Sequence, residues 1–172
     1  MLNDKKLAEK IGFLQNAVGA ILSPFDSYNL LKGIKTLSLR MLQHEENAKK
    51  IVAFLSKHKK IKKIYYPGLV SHPQHKLAKK QMKGFGGVLS IELHGDLKTA
   101  IKFLESLKLF HVAINIGEVV SLAEHPASMT HASMSKEERE KCGLTDTLIR
   151  LSVGIEDVDD LTHDLSQALD KV

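Results

Sequence analysis

Apolar positions recur at two different periods along the chain, and the switches between them mark out helices and strands. Over Lys5 to Ala17 and the residue that follows, Leu7, Ile11, Leu14 and Val18 fall at helical spacing. That predicts a short helix with Asn3 or Asp4 as its cap and a turn at Gly19. From Leu30 onward, Ile34, Leu37, Met41, Ala48, Ile51 and Leu55 keep close to the helical period while Lys, Glu, Asn and Gln fill the gaps. The pattern predicts one long amphipathic helix of roughly 30 residues, spanning roughly 45 Å, with Gly33 as a weak point near its start.

The period then shortens. Lys62 to Tyr66 reads as a strand closed by the turn dipeptide Pro67-Gly68. The His72-Pro73 step opens a short basic helix through Lys80, and Gly84-Phe85-Gly86-Gly87 introduces a strand from Val88 to Leu93. In that strand Leu89, Ile91 and Leu93 share one face, with Ser90 and Glu92 on the other. Asp96 is placed to cap a helix whose Leu97, Ala100, Ile101 and Leu104 lie on one side. Phe110 to Ile114 is a further short strand, and Leu148 to Val153 is the last. An acidic first turn at Asp157 to Asp160 then leads into a terminal helix buried through Val158, Leu161, Leu165 and Leu169. Short strands alternating with helices, with no Gly-rich nucleotide turn after the first of them, imply an α+β fold: a small, mostly antiparallel sheet covered by helices on one side.

Composition narrows the class. The 172 residues are 43% hydrophobic and 26% charged, enough for one globular domain with a substantial core. Charge interrupts every apolar stretch well before the roughly 20 residues of a membrane span, so a soluble protein with no membrane partner is expected. Met1 to Lys10 is polar and helix-forming, unlike a secretory signal. The lone Cys142 cannot form an internal disulfide, which fits a reducing cytoplasm. A net charge of +5 and the Lys57 to Lys63 and Lys76 to Lys83 clusters raise the question of nucleic acid. Their interleaving with Ile61, Ile64, Leu77 and Ala78 instead describes a solvated face over a core, and no zinc-finger or aromatic RNA-binding motif accompanies them.

Few motifs carry chemistry by spacing alone. His44-Glu45-Glu46-Asn47 begins like a metal-binding helix, but Ala48 stands where the second His belongs, so no metal site is expected. Gly84, Gly86 and Gly87 precede a strand rather than joining strand to helix, which favours a bulge or close backbone approach over a phosphate cradle. Arg150 is more informative. With Ile149, Leu151 and Val153 on the core face, Arg150 and Ser152 take the opposite one, with no acidic partner in the strand. A guanidinium on a rigid strand suits bidentate capture of a carboxylate. Spacing alone favours an ordinary surface or salt-bridged Arg.

Longer motifs reverse that preference. Ser23-Pro24-Phe25-Asp26-Ser27-Tyr28, Tyr66-Pro67-Gly68-Leu69 with Ser71-His72-Pro73, Gly84-Phe85-Gly86-Gly87, Glu124-His125-Pro126-Ala127-Ser128-Met129-Thr130-His131-Ala132 and Leu148-Ile149-Arg150-Leu151-Ser152-Val153-Gly154-Ile155-Glu156-Asp157 follow one another over nearly the whole chain. Together they resemble the C-terminal half of the Cys/Met (trans-sulfuration) family of pyridoxal-phosphate enzymes. The resemblance implies the C-terminal domain of a fold-type I enzyme, usually a tetramer, acting on sulfur-containing or activated homoserine-type amino acids. It implies that Arg150 binds the substrate α-carboxylate and that Thr130 lies near the substrate and helps hold Arg150. Asn115, Ile114 and Ile116 join them as implied substrate-binding residues. Ser23 to Phe25 matches a segment near the active-site mouth.

Ala113-Ile114-Asn115-Ile116-Gly117-Glu118 departs from the commoner Ala, Glu or Val, Ser-Leu-Gly-Gly pattern. Ile114 stands where a Glu would contact the distal amino group of cystathionine, so a plain thioether or short side chain is expected in the substrate. Asn-Ile-Gly followed by an acid also resembles O-acetylhomoserine sulfhydrylases and keeps a sulfhydrylase or cystathionine γ-synthase reading open, whereas Met129 and Cys142-Gly143-Leu144-Thr145-Asp146 lean toward the lyases. The family's Schiff-base Lys, stacking Tyr and phosphate-binding residues belong upstream of these motifs. The expectation is therefore a substrate-binding domain that works with its own N-terminal cofactor domain, absent from these residues. The chain alone is expected to be inactive, with neither catalytic nor cofactor-binding residues. A truncated relative acting as an interaction module is the non-enzymatic alternative.

Overall fold

The computed structural model describes residues 3–172 and divides into two compact units, residues 1–38 and 39–172. In the first unit, α1 (Lys5–Val18) is capped by Asp4, whose Oδ1 accepts the Leu7 N–H at 3.1 Å, and it ends at Gly19. Helix α2 (Pro24–Lys35) starts on Ser23, whose Oγ accepts the Asp26 N–H at 3.1 Å. Proline at its first position already lacks the N–H that a helix start leaves unpaired.

The single long helix expected from Leu30 onward is two helices, because α2 stops at Lys35 and α3 runs Leu37–Leu55. Thr36 causes the break. Its backbone N–H and its hydroxyl both turn back to the Gly33 carbonyl, each at 3.3 Å. A side chain that competes for a helix carbonyl interrupts the ladder, and Gly33 resists helix least at that point.

The second unit carries the sheet. Strands β1 (Ile61–Tyr65), β2 (Val88–Leu93), β3 (His111–Val112), β4 (Leu122–Glu124) and β5 (Leu148–Ser152) lie in the order β1-β2-β5-β4-β3. All neighbouring pairs are antiparallel except β3 with β4. Helices α4 (His75–Gln81), α5 (Leu97–Ser106), α6 (Lys136–Lys141) and α7 (Val158–Leu169) complete the unit. One face of the sheet, through Leu89, Ile91, Leu93, Ile149, Leu151 and Ala123, forms a single core with Ala48, Ile51 and Leu55 of α3, Ala100 and Phe103 of α5, and Leu161, Leu165 and Leu169 of α7. This is the expected α+β arrangement, with the core alternation of β2 and β5 as the period of two requires.

Several boundaries differ from the expectation. The strand expected from Phe110 to Ile114 is only His111–Val112, and the basic helix begins at His75, after the Pro73 turn. On α5 the buried stripe is Ala100, Phe103 and Leu104, while Leu97 and Ile101 face solvent. Phe103 buries more area than Ile101, so the helix is rotated to put the ring inward. Strand β4 and helix α6 were not expected. Leu122-Ala123-Glu124 is too short to show a period, and α6, built from Lys, Glu and Arg, has no apolar stripe.

Candidate substrate-carboxylate site

The parallel pairing of β3 with β4 sets up the site. A parallel neighbour is reached only if the chain travels back along the strands before pairing again. Residues 113–121 make that return over the face of the sheet opposite the core, beside β5. There the Arg150 Nη2 donates to the Asn115 carbonyl at 3.2 Å, and the Gly117 N–H donates to Ser152 Oγ at 3.2 Å. Gly117 has φ 83°, a conformation glycine takes without cost and other residues resist. Farther along, the Ile155 N–H donates to the Val119 carbonyl at 2.9 Å. Gly154 is needed at this crossing, since a Cβ there would collide with the Val119 carbonyl and the Ser121 amide.

The exit of the loop is anchored by side chains that the sequence did not single out. Glu156 accepts the Ser121 N–H at 2.6 Å and its hydroxyl at 2.9 Å, and Ser121 Oγ in turn accepts the Gly154 N–H at 2.8 Å. Asn47 of α3 donates to the Gly154 and Glu156 carbonyls at 3.1 and 2.8 Å, and His44 Nδ1 lies 2.6 Å from the Val153 carbonyl. The His44 to Asn47 segment thus fastens the end of β5 instead of binding metal. Among the described residues no group of three or more His, Cys, Asp or Glu is placed to hold a metal ion.

Arg150 has an acidic partner after all, on the adjacent strand. Glu124 of β4 lies opposite it in the antiparallel register, and its side chain is 1% exposed against 28% for Arg150. Glu124 Oε2 pairs with Arg150 Nη2 at 2.5 Å, while Oε1 accepts the Thr130 hydroxyl. Thr130 therefore meets Glu124 directly and Arg150 at one remove. It is returned to that place by turns in which Met129 N–H donates to the His125 carbonyl and His131 N–H to that of Pro126. His125, fully buried, braces the turn through Ser128 Oγ at 2.8 Å and the Asp146 carbonyl at 3.0 Å.

Both contacts to Arg150 fall on Nη2, leaving Nη1 and Nε without a partner among the described residues. A guanidinium edge left open in this way matches the two oxygens of a carboxylate. Asn115, Ile114 and Ile116 lie on the loop beside it. Asn115 is locked within the loop, its Nδ2 donating to Glu118 Oε1 at 3.0 Å and its Oδ1 accepting the Ile116 N–H at 2.8 Å. Ile114 and Ile116 are 58% and 56% exposed and give that rim an apolar character. The structure thus brings Arg150, Asn115 and Thr130 into one connected network. Ser23 lies in the first unit, where it caps α2. Glu124 is the residue that sequence reading passed over, because a cross-strand register is not visible in a motif.

A sequence model of the Cys/Met metabolism PLP-dependent enzyme family matches residues 1–170, and the chain belongs to that family. It is 56% identical over 167 residues to the cystathionine beta-lyase of Coxiella burnetii, an alignment covering 97% of this chain and 43% of the relative. It is 53% identical over 169 residues to the cystathionine gamma-lyase of Dictyostelium discoideum, covering 98% and 44%. With the L-methionine gamma-lyase of Fusobacterium nucleatum subsp. polymorphum it shares 49% over 174 residues, covering 100% and 44%. The chain thus spans less than half the length of these relatives.

Pyridoxal phosphate requires an amine for its aldehyde and a cradle for its phosphate, and the residues of this chain do not fit it. Every lysine among the described residues is exposed. The glycine loop is already filled: a Cβ at Gly84 would fall within the Glu45 carboxylate, and one at Gly87 would meet His44 Cβ at 2.9 Å and the Val153 carbonyl at 3.1 Å. The side chain of Lys49, against the cost of burial, and the Phe85 backbone hold Glu45 below its ordinary carboxyl range, so the loop faces a fixed negative charge. A phosphate would be repelled there. Among the described residues no helix is long and apolar enough to cross a membrane.

Proposed function

We propose that this chain is the C-terminal, substrate-binding domain of a pyridoxal-phosphate-dependent lyase of sulfur amino acids, with Arg150 as the clamp for the substrate α-carboxylate. The observation that carries the proposal is the open Nη1 and Nε edge of Arg150, held in place by contacts made through Nη2 alone. Chemistry at the α-carbon belongs to a cofactor held outside these residues, in a cofactor domain that completes the active enzyme and in an oligomer of such subunits. A reducing cytoplasm suits the exposed thiol of Cys142.

The apolar rim of Ile114 and Ile116 favours a thioether side chain over one ending in charge, since desolvating an unpaired ammonium against two isoleucines is costly. The similarity to cystathionine and L-methionine lyases supports elimination as the reaction class. The test is Arg150→Ala in the pyridoxal-phosphate-loaded protein containing this chain. KM for the amino-acid substrate is expected to rise by about 100-fold while the cofactor absorbance is retained, the size expected when a charge-assisted pair is lost. An unchanged KM would remove the clamp.

A further inference from the structure

Resting on that reading, we propose that Glu124 and Thr130 form a positioning pair that holds Arg150 ready for the substrate carboxylate. Neither touches substrate. A carboxylate-binding guanidinium gains nothing electrostatically from a second carboxylate at its side, so the Glu124 pairing needs another reason. Geometry supplies it. The two hydrogens of Arg150 Nη2 are taken by Glu124 Oε2 and the Asn115 carbonyl, which fixes the plane of the guanidinium and directs its Nη1 and Nε edge away from the sheet. An arginine side chain carries about 2 kcal/mol of rotamer entropy. Freezing it during folding removes that cost from substrate binding.

Glu124 can do this because it is itself fixed. It sits on β4 directly across from Arg150, is almost wholly buried, and has its second oxygen taken by the Thr130 hydroxyl. Without Thr130 the Glu124 carboxylate could rotate about its last bond and present either oxygen, and the guanidinium plane would follow. The hydroxyl therefore selects one orientation of the carboxylate, and the carboxylate selects one orientation of the guanidinium. The same network ties the loop to the clamp, because the Asn115 carbonyl is the other acceptor on Nη2. Thr130 contributes through its hydroxyl, so Ser should replace it and Val, of equal shape, should not.

The experiment compares Glu124→Gln, Thr130→Val, Thr130→Ser and Arg150→Ala in the pyridoxal-phosphate-loaded protein containing this chain. Two quantities are read: KM for L-cystathionine or L-methionine, whichever is cleaved faster, and the inhibition constant of the same compound without its α-carboxylate. Glu124→Gln and Thr130→Val are expected to raise KM by about tenfold with the inhibition constant of the amine unchanged, and Thr130→Ser to stay close to the parent. KM unmoved in both Glu124→Gln and Thr130→Val, or KM and the amine constant rising together, overturns the positioning role. Should Glu124→Gln fail to fold, Thr130→Val against Thr130→Ser decides the matter. If Arg150→Ala raises KM while the other variants do not, the positioning pair falls and the clamp stands; if Arg150→Ala leaves KM unchanged, the clamp itself falls.

Discussion

The Asp164 carboxylate on α7 accepts the backbone N–H of Leu109 at 2.8 Å, and so fastens the terminal helix to the turn between α5 and β3. The same carboxylate receives Lys108 N–H at 2.9 Å and Phe110 N–H at 3.1 Å, and Gln167 bridges from Asp164 Oδ1 to the Ser106 carbonyl. Three successive backbone donors with one buried acceptor have no water to replace it. Asp164→Ala is expected to lower the stability by about 3 kcal/mol, since the orphaned N–H groups lose their partner together. Equilibrium urea unfolding checks this, with a fall in midpoint at unchanged slope.

The parts of this fold that are legible in the sequence are those where one residue type repeats at one period. Leu161, Leu165 and Leu169 announce α7 because a helix returns to the same face every fourth residue, and all three are fully buried. Alternation marks β2 and the core face of β5 in the same way. The α2 to α3 break was hidden, because Thr36 interrupts the backbone without disturbing the apolar rhythm from Ile34 to Leu37. Arg150 was legible as a candidate from its face of β5 and from the resemblance around it. Its partner was not, since the pairing of Glu124 with Arg150 depends on a register between strands separated by the whole of α6. The Ser121, Glu156 and Asn47 anchor is hidden for the same reason: each residue is unremarkable in its own segment.

Tyr66 yields a prediction at alkaline pH. Burial, with the charge of Glu45 as the lesser cause, pushes its phenol up to about 12, and the hydroxyl donates to the Gly86 carbonyl at 3.0 Å. A folded pKa above the unfolded value near 10 means that the folded state holds its proton more tightly. The resulting stabilisation is complete below the unfolded value and is lost as pH rises toward about 12. Stability is therefore expected to fall through this window in the parent and to fall less steeply in Tyr66→Phe, which has no phenol to ionise there. Urea midpoints across alkaline pH, alongside a phenolate absorbance titration, check this; parallel profiles in the two proteins would exclude Tyr66 as the group responsible.

The last prediction concerns what the loop reads beyond the carboxylate. Ile114 stands on the rim formed by the return segment, more than half exposed and with no polar atom in its side chain. A substrate whose distal end is an ammonium loses water there without gaining a partner, whereas a methyl thioether loses little. Introducing a carboxylate by Ile114→Glu supplies an acceptor in the same loop that carries Asn115 and its contact to Arg150. Relative kcat/KM for L-cystathionine over L-methionine is expected to rise by about tenfold or more, the return on one charge-assisted hydrogen bond. Thermal unfolding should change little, because an exposed position on a loop bears little of the core. Equal changes in kcat/KM for both substrates would mean that the loop tolerates the new charge without using it, and that the distal group of the substrate lies elsewhere than beside Ile114.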